Sequence, residues 1–186
     1  MWYADGAGLN PDLLFHFPCE AGVPSVPKGS SGITLNNYTL RPKARGSLAL
    51  RSGDARDNPV VDPNFLGDPD VLRVSVEGVR ISLDIFHQSS LQKHIREVCF
   101  PDSTVRIQPD FEAYARQHGC TSYHPTCTCK LGRNEIAVVD PQVRVRGLDG
   151  VRTGDSSVMP SLMGSNTNAP TIMIAEHAAD VIRGNH

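Results

Sequence analysis

The stretch AVVDPQVRVRGLDGVRTGDSSVMPSLMGSNTNAPTIMIAEHAADVI, residues 137–182, is the part of the chain on which the fold assignment depends. Its first half alternates short valine-rich runs with Asp-Pro and Gly-Leu-Asp-Gly turns, which predicts two or three brief strands. Its second half predicts a helix, with Thr167 or Asn168 as N-cap and Pro170 in the first turn. Gly184 is the expected stop. Because the helix begins with an apolar run that no polar face interrupts, we expect its first two turns to be buried.

Two further helices are predicted upstream. Residues 71–95 place apolar side chains loosely on one helical face, after Asp68 or Asp70 as N-cap. Residues 108–119 predict a short helix with Asp110 as cap and a terminal glycine.

Two strands are also predicted. DLLFHF, residues 12–17, is apolar and aromatic and precedes a Pro/Gly/Ser-rich loop. GSLALRSG, residues 46–53, alternates leucine with small or charged residues between glycines, which predicts a half-buried strand.

Composition narrows the class of protein. The chain has 186 residues and a formal net charge of −2, with lysine and arginine spread along it, so it has no basic patch for nucleic acid or an anionic membrane. No run of about 18 apolar residues predicts a transmembrane segment. Five cysteines are an odd number, and the chain starts without a secretory signal pattern, which favours a reducing, cytoplasmic location. We therefore expect a small-molecule partner.

SYHPTCTCKLG, residues 122–132, contains three potential metal ligands. His124, Cys127 and Cys129 have the residue types of part of a tetrahedral zinc site, although zinc knuckles usually have paired C-x-x-C arms. The same absence of C-x-x-C argues against a redox pair. A third interpretation is that both cysteines are small core residues. His124 itself is either a satisfied core histidine or a general base, and the following proline favours a side chain held in a turn.

The second polar cluster is GSNTNAPT, residues 164–171. Capping a helix requires one asparagine or hydroxyl residue, and this segment has several. A helix N-terminus has free N–H groups and a partial positive charge. The surplus therefore indicates that this helix start faces a ligand that becomes anionic.

Together, YHPTCTCKLG and the stretch 137–182 closely resemble the C-terminal signature of the glucose-methanol-choline (GMC) family of FAD-dependent alcohol oxidoreductases, which includes choline dehydrogenases and aryl-alcohol oxidases. The resemblance runs from Tyr123 to Ile182 nearly without gaps. DLLFHF, residues 40–66 and the helix that follows also resemble the family's substrate domain.

The resemblance implies a role for each polar residue of these stretches. His124 corresponds to the catalytic histidine, which accepts the alcohol proton while hydride passes to the flavin, and Asn166 to the residue that hydrogen-bonds the alcohol oxygen. The implied FAD contacts are Asp155 and Ser156, along the ribityl and diphosphate part, and Asn168, Ala169, Pro170 and Thr171, beside the flavin N1 and C2 carbonyl. A helix N-terminus there would stabilise the negative charge of the reduced flavin. No metal is implied.

The chain also departs from the family pattern. The family's G-x-G-x-x-G motif, whose glycines let a helix start approach a pyrophosphate, is represented only by GAGLNP, residues 6–11. Cys127 occupies a position where the family usually has glycine, and a side chain there crowds a turn that needs positive φ. Leu131 replaces a common methionine, and His177 replaces a lysine or arginine.

The resemblance implies an α+β fold. Residues 1–135 are expected to form a portion of the substrate-binding domain, truncated at its N-terminal side, with an antiparallel sheet and helices. Residues 136–186 are expected to supply the last strand and helix of the FAD domain. The implied reaction is oxidation of a small alcohol to a carbonyl with FAD as hydride acceptor. The alternatives are an inactive fragment, a split subunit completed by a separate chain with the dinucleotide-binding half, and the zinc module.

Overall fold

The computed structural model describes residues 10–19 and 30–184. This part of the chain contains helices and two small antiparallel sheets, which confirms the α+β prediction. The strands are β1 (Leu13–His16), β2 (Asn36–Thr39), β3 (Ser47–Ala49) and β4 (Val60–Asp62). The helices are α1 (Pro69–Phe86), α2 (Ser89–Gln92), α3 (Gln108–His118) and α4 (Asn168–Arg183), with a 3₁₀ turn at Ser156–Val158. Most of the predicted Pro/Gly/Ser loop, and of GAGLNP, lies outside the described residues.

The chain forms two compact units. The first contains the described residues before Gly46 together with Asn64–Cys120. The second contains Gly46–Pro63 and the described residues from Thr121 onward. The predicted division into a substrate-binding portion, residues 1–135, and a segment of the FAD domain, residues 136–186, refers to a complete flavoprotein. It stays a prediction. Within residues 10–19 and 30–184, none of the helices combines the length and the apolar character that a membrane crossing requires.

The first unit is built around α1. Strand β1, predicted from DLLFHF, pairs with β2 in antiparallel register, and α1 packs on β2 and α3. Helix α1 contains a glycine, Gly78, where it lies close to β2. A Cβ atom at this position would lie only 2.6 Å from Asn37 Oδ1, so a larger residue would not fit. The core shared by α1 and α3 consists of Val76, Val79, Phe111 and Ala115.

The N-terminus of α1 resolves the choice between two capping residues. Asp68 Oδ1 accepts hydrogen bonds from the N–H groups of Asp70 at 2.9 Å and Val71 at 3.2 Å, so Asp68 is the cap. The single helix predicted over residues 71–95 is wrong at its end. Gln88 is extended (φ −64°, ψ 135°), which breaks the helical hydrogen-bond ladder and leaves α2 as a separate turn.

Helix α3 is capped differently from the prediction. Its N-cap is Ile107, and Asp110 lies three residues inside the helix. Asp110 Oδ2 accepts the N–H groups of Ile107 at 3.0 Å and Arg106 at 2.9 Å. These two bonds lower the pKa of the Asp110 carboxyl group. Gly119 ends the helix as predicted, in an extended conformation.

Strand β3 pairs with β4 but is not half-buried as predicted. Leu48 is 53% exposed and Leu50, just beyond the strand, is 88% exposed. Val60 and Val61 of β4 are also exposed. Both strands of this hairpin therefore carry exposed apolar side chains.

Residues 131–152 form isolated bridges rather than the predicted strands. Val139 bridges Leu131 and Val145, and Arg144 bridges Arg152. Asp140 holds the turn between them, because its Oδ1 accepts two backbone N–H groups and its Oδ2 accepts Arg144 Nε at 2.8 Å. Strand pairing does not extend further for two reasons. Pro141 has no backbone N–H, and Val143 has a positive φ of 55°.

Helix α4 has the predicted ends. Thr167 is the N-cap, and Gly184 closes the helix in the left-handed conformation at φ 77°. The predicted burial of its first two turns is wrong, since Met173 is 66% exposed. Contacts with the bridged segment instead bury Ala178 in the third turn. Gly154 makes this approach possible, because a Cβ atom there would lie 2.4 Å from the Ala178 methyl group.

The turn at Cys127 has the geometry expected of a glycine position. Cys127 has φ 74°, in the left-handed region that side chains disfavour. Its thiol shares a 3.1 Å hydrogen bond with Thr126 Oγ1. The departure from the family pattern at this residue therefore coincides with a strained backbone.

Replacing Cys127 with glycine should stabilise the chain. A left-handed residue with a side chain costs about 1–2 kcal/mol, and the freedom of glycine in the unfolded state offsets roughly half of the gain. We expect Cys127→Gly to raise the free energy of unfolding by up to about 1 kcal/mol in denaturant titrations under reducing conditions. Cys129→Gly is the matched control, because Cys129 has no positive φ, and it should destabilise. Equal losses in both variants would contradict this account.

Asp110 should contribute stability that depends on pH. Its pKa is lower in the folded state, so the contribution is present above the unfolded pKa and is lost as pH falls through the folded one. We expect Asp110→Ala to lower the melting temperature at pH 7, and the difference from wild type to shrink below about pH 4. Glu112→Ala, which removes a carboxylate from the same helix without freeing a backbone N–H, should cost less at pH 7. A difference that persists undiminished at low pH would exclude the proposed cause.

Candidate active site

The loop that carries His124 lies in the second unit and is attached to the 3₁₀ turn. The N–H of Cys129 donates to Ser157 O at 3.0 Å, and the N–H of Leu131 donates to Val158 O at 2.9 Å. Tyr123, just before His124, is left-handed at φ 62° and 86% exposed. These constraints determine the course of the backbone on both sides of the histidine.

The His124 side chain is held by the start of α4. Its Nδ1 lies 2.6 Å from Thr167 Oγ1, across 43 residues of sequence. Thr167 is buried, with 7% exposure, and His124 is partly buried. Within the described part of the chain His124 Nε2 has no hydrogen-bond partner, so this nitrogen is available to a ligand.

Asn166 performs the capping that Thr167 does not. Its Oδ1 accepts the N–H of Asn168 at 3.2 Å, while the Thr167 side chain makes no capping bond. Because the oxygen is used in this way, the amide Nδ2 is left as a donor on an exposed side chain.

The first turn of α4 presents one unused backbone donor. Asn168 and Ala169 are exposed, and the Ala169 N–H has no acceptor among the residues that the structure describes. Pro170 has no N–H to offer. Thr171 is turned towards its own helix, because both its N–H and its hydroxyl donate to Thr167 O.

The segment Asp155–Ser157 forms the neighbouring polar surface. Asp155 Oδ1 caps the 3₁₀ turn by accepting the Ser157 N–H at 2.7 Å. Ser156 Oγ donates to Pro125 O over a long 3.4 Å. Ser157 Oγ is buried and has no hydrogen-bond partner in the described structure. A buried orphan hydroxyl calls for an explanation, and a bound ligand is one.

The cysteines give the zinc interpretation no support. Cys127 and Cys129 are partly buried free thiols. No group of three or more His, Cys, Asp or Glu side chains that could hold a metal ion occurs in residues 10–19 and 30–184.

The fold thus brings the two predicted polar stretches together. His124 contacts Thr167, which lies between the predicted site residues Asn166 and Asn168. Pro125 contacts Ser156. Ser157 was not predicted from the sequence, and Thr167 was predicted only as a cap. The surplus of polar residues before α4 was the signal for Thr167, but no sequence feature indicated the orphan hydroxyl.

Comparison with known proteins shows the family of this chain. The sequence profile of the GMC oxidoreductase family matches residues 42–175. An alcohol dehydrogenase [acceptor] from Pseudomonas putida is 40% identical over 179 residues, which cover 92% of this chain and 32% of the relative. Human mitochondrial choline dehydrogenase is 37% identical, with 94% of this chain and 30% of that protein covered.

Solved structures show the same fold. A variant of the Aspergillus oryzae RIB40 formate oxidase superposes with a TM-score of 0.84 and 26% identity, over 95% of this chain and 32% of the oxidase. Pyridoxine 4-oxidase from Mesorbium loti, at 24% identity, shares the fold with a TM-score of 0.83 over 99% of this chain and 37% of the oxidase. The chain spans about a third of the length of these relatives. With most of its residues inside the family profile, the chain belongs to the GMC oxidoreductase family and corresponds to its C-terminal part.

Proposed function

We propose that this chain forms the substrate side of a flavin-dependent oxidoreductase that oxidises a small alcohol to a carbonyl compound, with His124 as the base. The observation that carries the proposal is the 2.6 Å contact between His124 Nδ1 and Thr167 Oγ1, which leaves Nε2 as the nitrogen free to accept a proton. The relatives named as alcohol and choline dehydrogenases support the class of substrate.

The residues of this chain handle the proton and the oxygen of the substrate. His124 Nε2 removes the hydroxyl proton, since a neutral imidazole is a suitable general base near neutral pH. Asn166 Nδ2 donates a hydrogen bond to the same oxygen, and this bond strengthens as negative charge develops there. FAD, when bound, supplies the acceptor for the hydride that leaves the carbinol carbon.

The residues around the helix start fit a flavin cofactor. The free Ala169 N–H lies at the positive end of a 16-residue helix, which favours an anionic or electron-rich partner. The orphan hydroxyl of Ser157 adds a polar group that needs a partner, next to Asp155 and Ser156. FAD would be held by Asn168, Ala169, Asp155 and Ser156. Pro170 needs no acceptor at the helix start, because it has no backbone N–H. Thr171 would act through the helix backbone, since its hydroxyl is already bonded there.

Exposed apolar side chains support the proposal that further protein covers the second unit. Leu50 is 88% exposed, Ile136 73% and Met173 66%, and side chains of this kind are usually buried. A dinucleotide-binding half with the G-x-G-x-x-G motif is the expected cover, either in the same polypeptide or in a separate chain. The inactive-fragment alternative differs only in that no such half completes the site.

Turnover should depend strongly on His124 in a complete enzyme. A suitable protein is a chimera in which this chain replaces the matching third of the Pseudomonas putida relative. We expect His124→Ala to lower kcat by about 10²- to 10⁴-fold, the usual contribution of a general base, while flavin absorbance is retained. Asn166→Ala should cost less, about 1–3 kcal/mol, because it removes one hydrogen bond to the reacting oxygen.

His177→Ala is the control for this series, because His177 is an exposed residue later in α4, and its kcat should match that of the parent chimera. An essentially unchanged kcat in His124→Ala would refute its role as the base. A loss in Asn166→Ala as large as that in His124→Ala would mean that Asn166 also positions the flavin.

The isolated chain should bind FAD weakly, because the pyrophosphate-binding glycines are lacking. We expect no flavin absorbance after purification and no saturable binding at micromolar FAD in fluorescence titrations. Addition of the part of the Pseudomonas putida relative that lies outside the matched third should produce stoichiometric binding, if that part carries the proposed dinucleotide-binding half. Tight binding by the chain alone would contradict the proposal that a second half is needed, and a completed protein that binds FAD but oxidises no alcohol would favour the inactive-fragment alternative.

A further inference from the structure

Thr167 is a buried polar residue whose position is not explained by helix capping. Among the residues that the structure describes, the polar ones that are buried as whole residues are Ser82 and Thr167, each 7% exposed. Ser82 Oγ donates to Gly78 O within its own helix, a local bond that many helical serines make. Thr167 stands at an N-cap position, where a threonine hydroxyl normally accepts a helix N–H, yet it makes no such bond.

The hydroxyl is free for another partner because Asn166 has taken over the capping. Asn166 Oδ1 accepts the Asn168 N–H, and the Thr167 carbonyl is fixed by both the N–H and the hydroxyl of Thr171. With its backbone held in this way, Thr167 directs Oγ1 to His124 Nδ1 at 2.6 Å. A contact between a buried hydroxyl and a ring 43 residues away orients that ring.

We infer that Thr167 is the positioning residue of the proposed base: its hydroxyl accepts a hydrogen bond from Nδ1–H of His124 and thereby keeps the lone pair on Nε2. This inference rests on the proposed function. In a neutral imidazole only one of the two ring nitrogens carries a proton. The hydrogen bond made by one nitrogen decides which of the two is protonated. Nε2 can accept a substrate proton only in the tautomer with hydrogen on Nδ1.

The arrangement stays favourable while the proton moves. When Nε2 takes the hydroxyl proton of the alcohol, the ring becomes an imidazolium with N–H groups at both positions. Thr167 Oγ1 accepts from Nδ1–H before and after the transfer, and the bond strengthens once the donor is charged. A valine has the same shape but no acceptor, so it would leave the ring free to exchange tautomers and rotate.

The first test uses the chain itself and needs no flavin. The chain has seven histidines, so in nitrogen NMR of histidine-labelled protein the His124 signals are assigned as those lost in His124→Asn. We expect the wild-type ring to be a single tautomer with the proton on Nδ1. Thr167→Ser should keep this pattern, and Thr167→Val should show exchange between both tautomers. A wild-type proton on Nε2, or a pattern unchanged in Thr167→Val, would overturn the inference.

The second test uses the chimeric enzyme. Because Thr167 acts through His124, Thr167→Val should lower kcat by about tenfold or more, the scale expected of a misplaced catalytic group, with KM nearly unchanged. Thr167→Ser should restore most of the loss. If His124→Ala lowers kcat and Thr167→Val does not, the positioning role of Thr167 is wrong, while the role of His124 as the base is retained. If His124→Ala has no effect, the proposed function itself fails.

Discussion

The contact between His124 Nδ1 and Thr167 Oγ1 joins the two segments that carry the candidate chemistry. One segment is a loop with left-handed residues, and the other is the start of a 16-residue helix. A loop histidine is otherwise free to rotate, and most loop side chains are mobile. Fixing one ring nitrogen on a helix terminus gives the other nitrogen a defined direction, and the proposed proton transfer depends on that direction.

Several weaker interactions make this contact possible. The bonds from Cys129 to Ser157 and from Leu131 to Val158 hold the loop against the 3₁₀ turn. The close approach of Gly154 to Ala178 brings that segment against α4. The turn strains the backbone at Cys127, which has a positive φ. Strain of this kind persists only where neighbouring contacts hold the conformation in place. The candidate site is therefore organised by its backbone, and its polar side chains add orientation.

The same second unit exposes apolar side chains on the β3–β4 hairpin and on the first turns of α4. The sequence patterns at both places are those of buried elements, and both predictions of burial were wrong for this chain. In the proposed complete enzyme, further protein would cover this surface.

The sequence by itself determined the positions of α1, α3 and α4, the glycine stop of α4 and the two polar stretches, because these depend on local periodicity, capping and turn chemistry. The α+β class followed from the resemblance of those stretches to the GMC family. The structure alone decided that Asp110 reaches back from inside α3, that residues 131–152 pair only through bridges, and that Thr167 turns to His124 and leaves capping to Asn166. These outcomes depend on contacts between residues distant in sequence. A hydroxyl has several partners available at similar free energy, so only the packed backbone decides which one it takes.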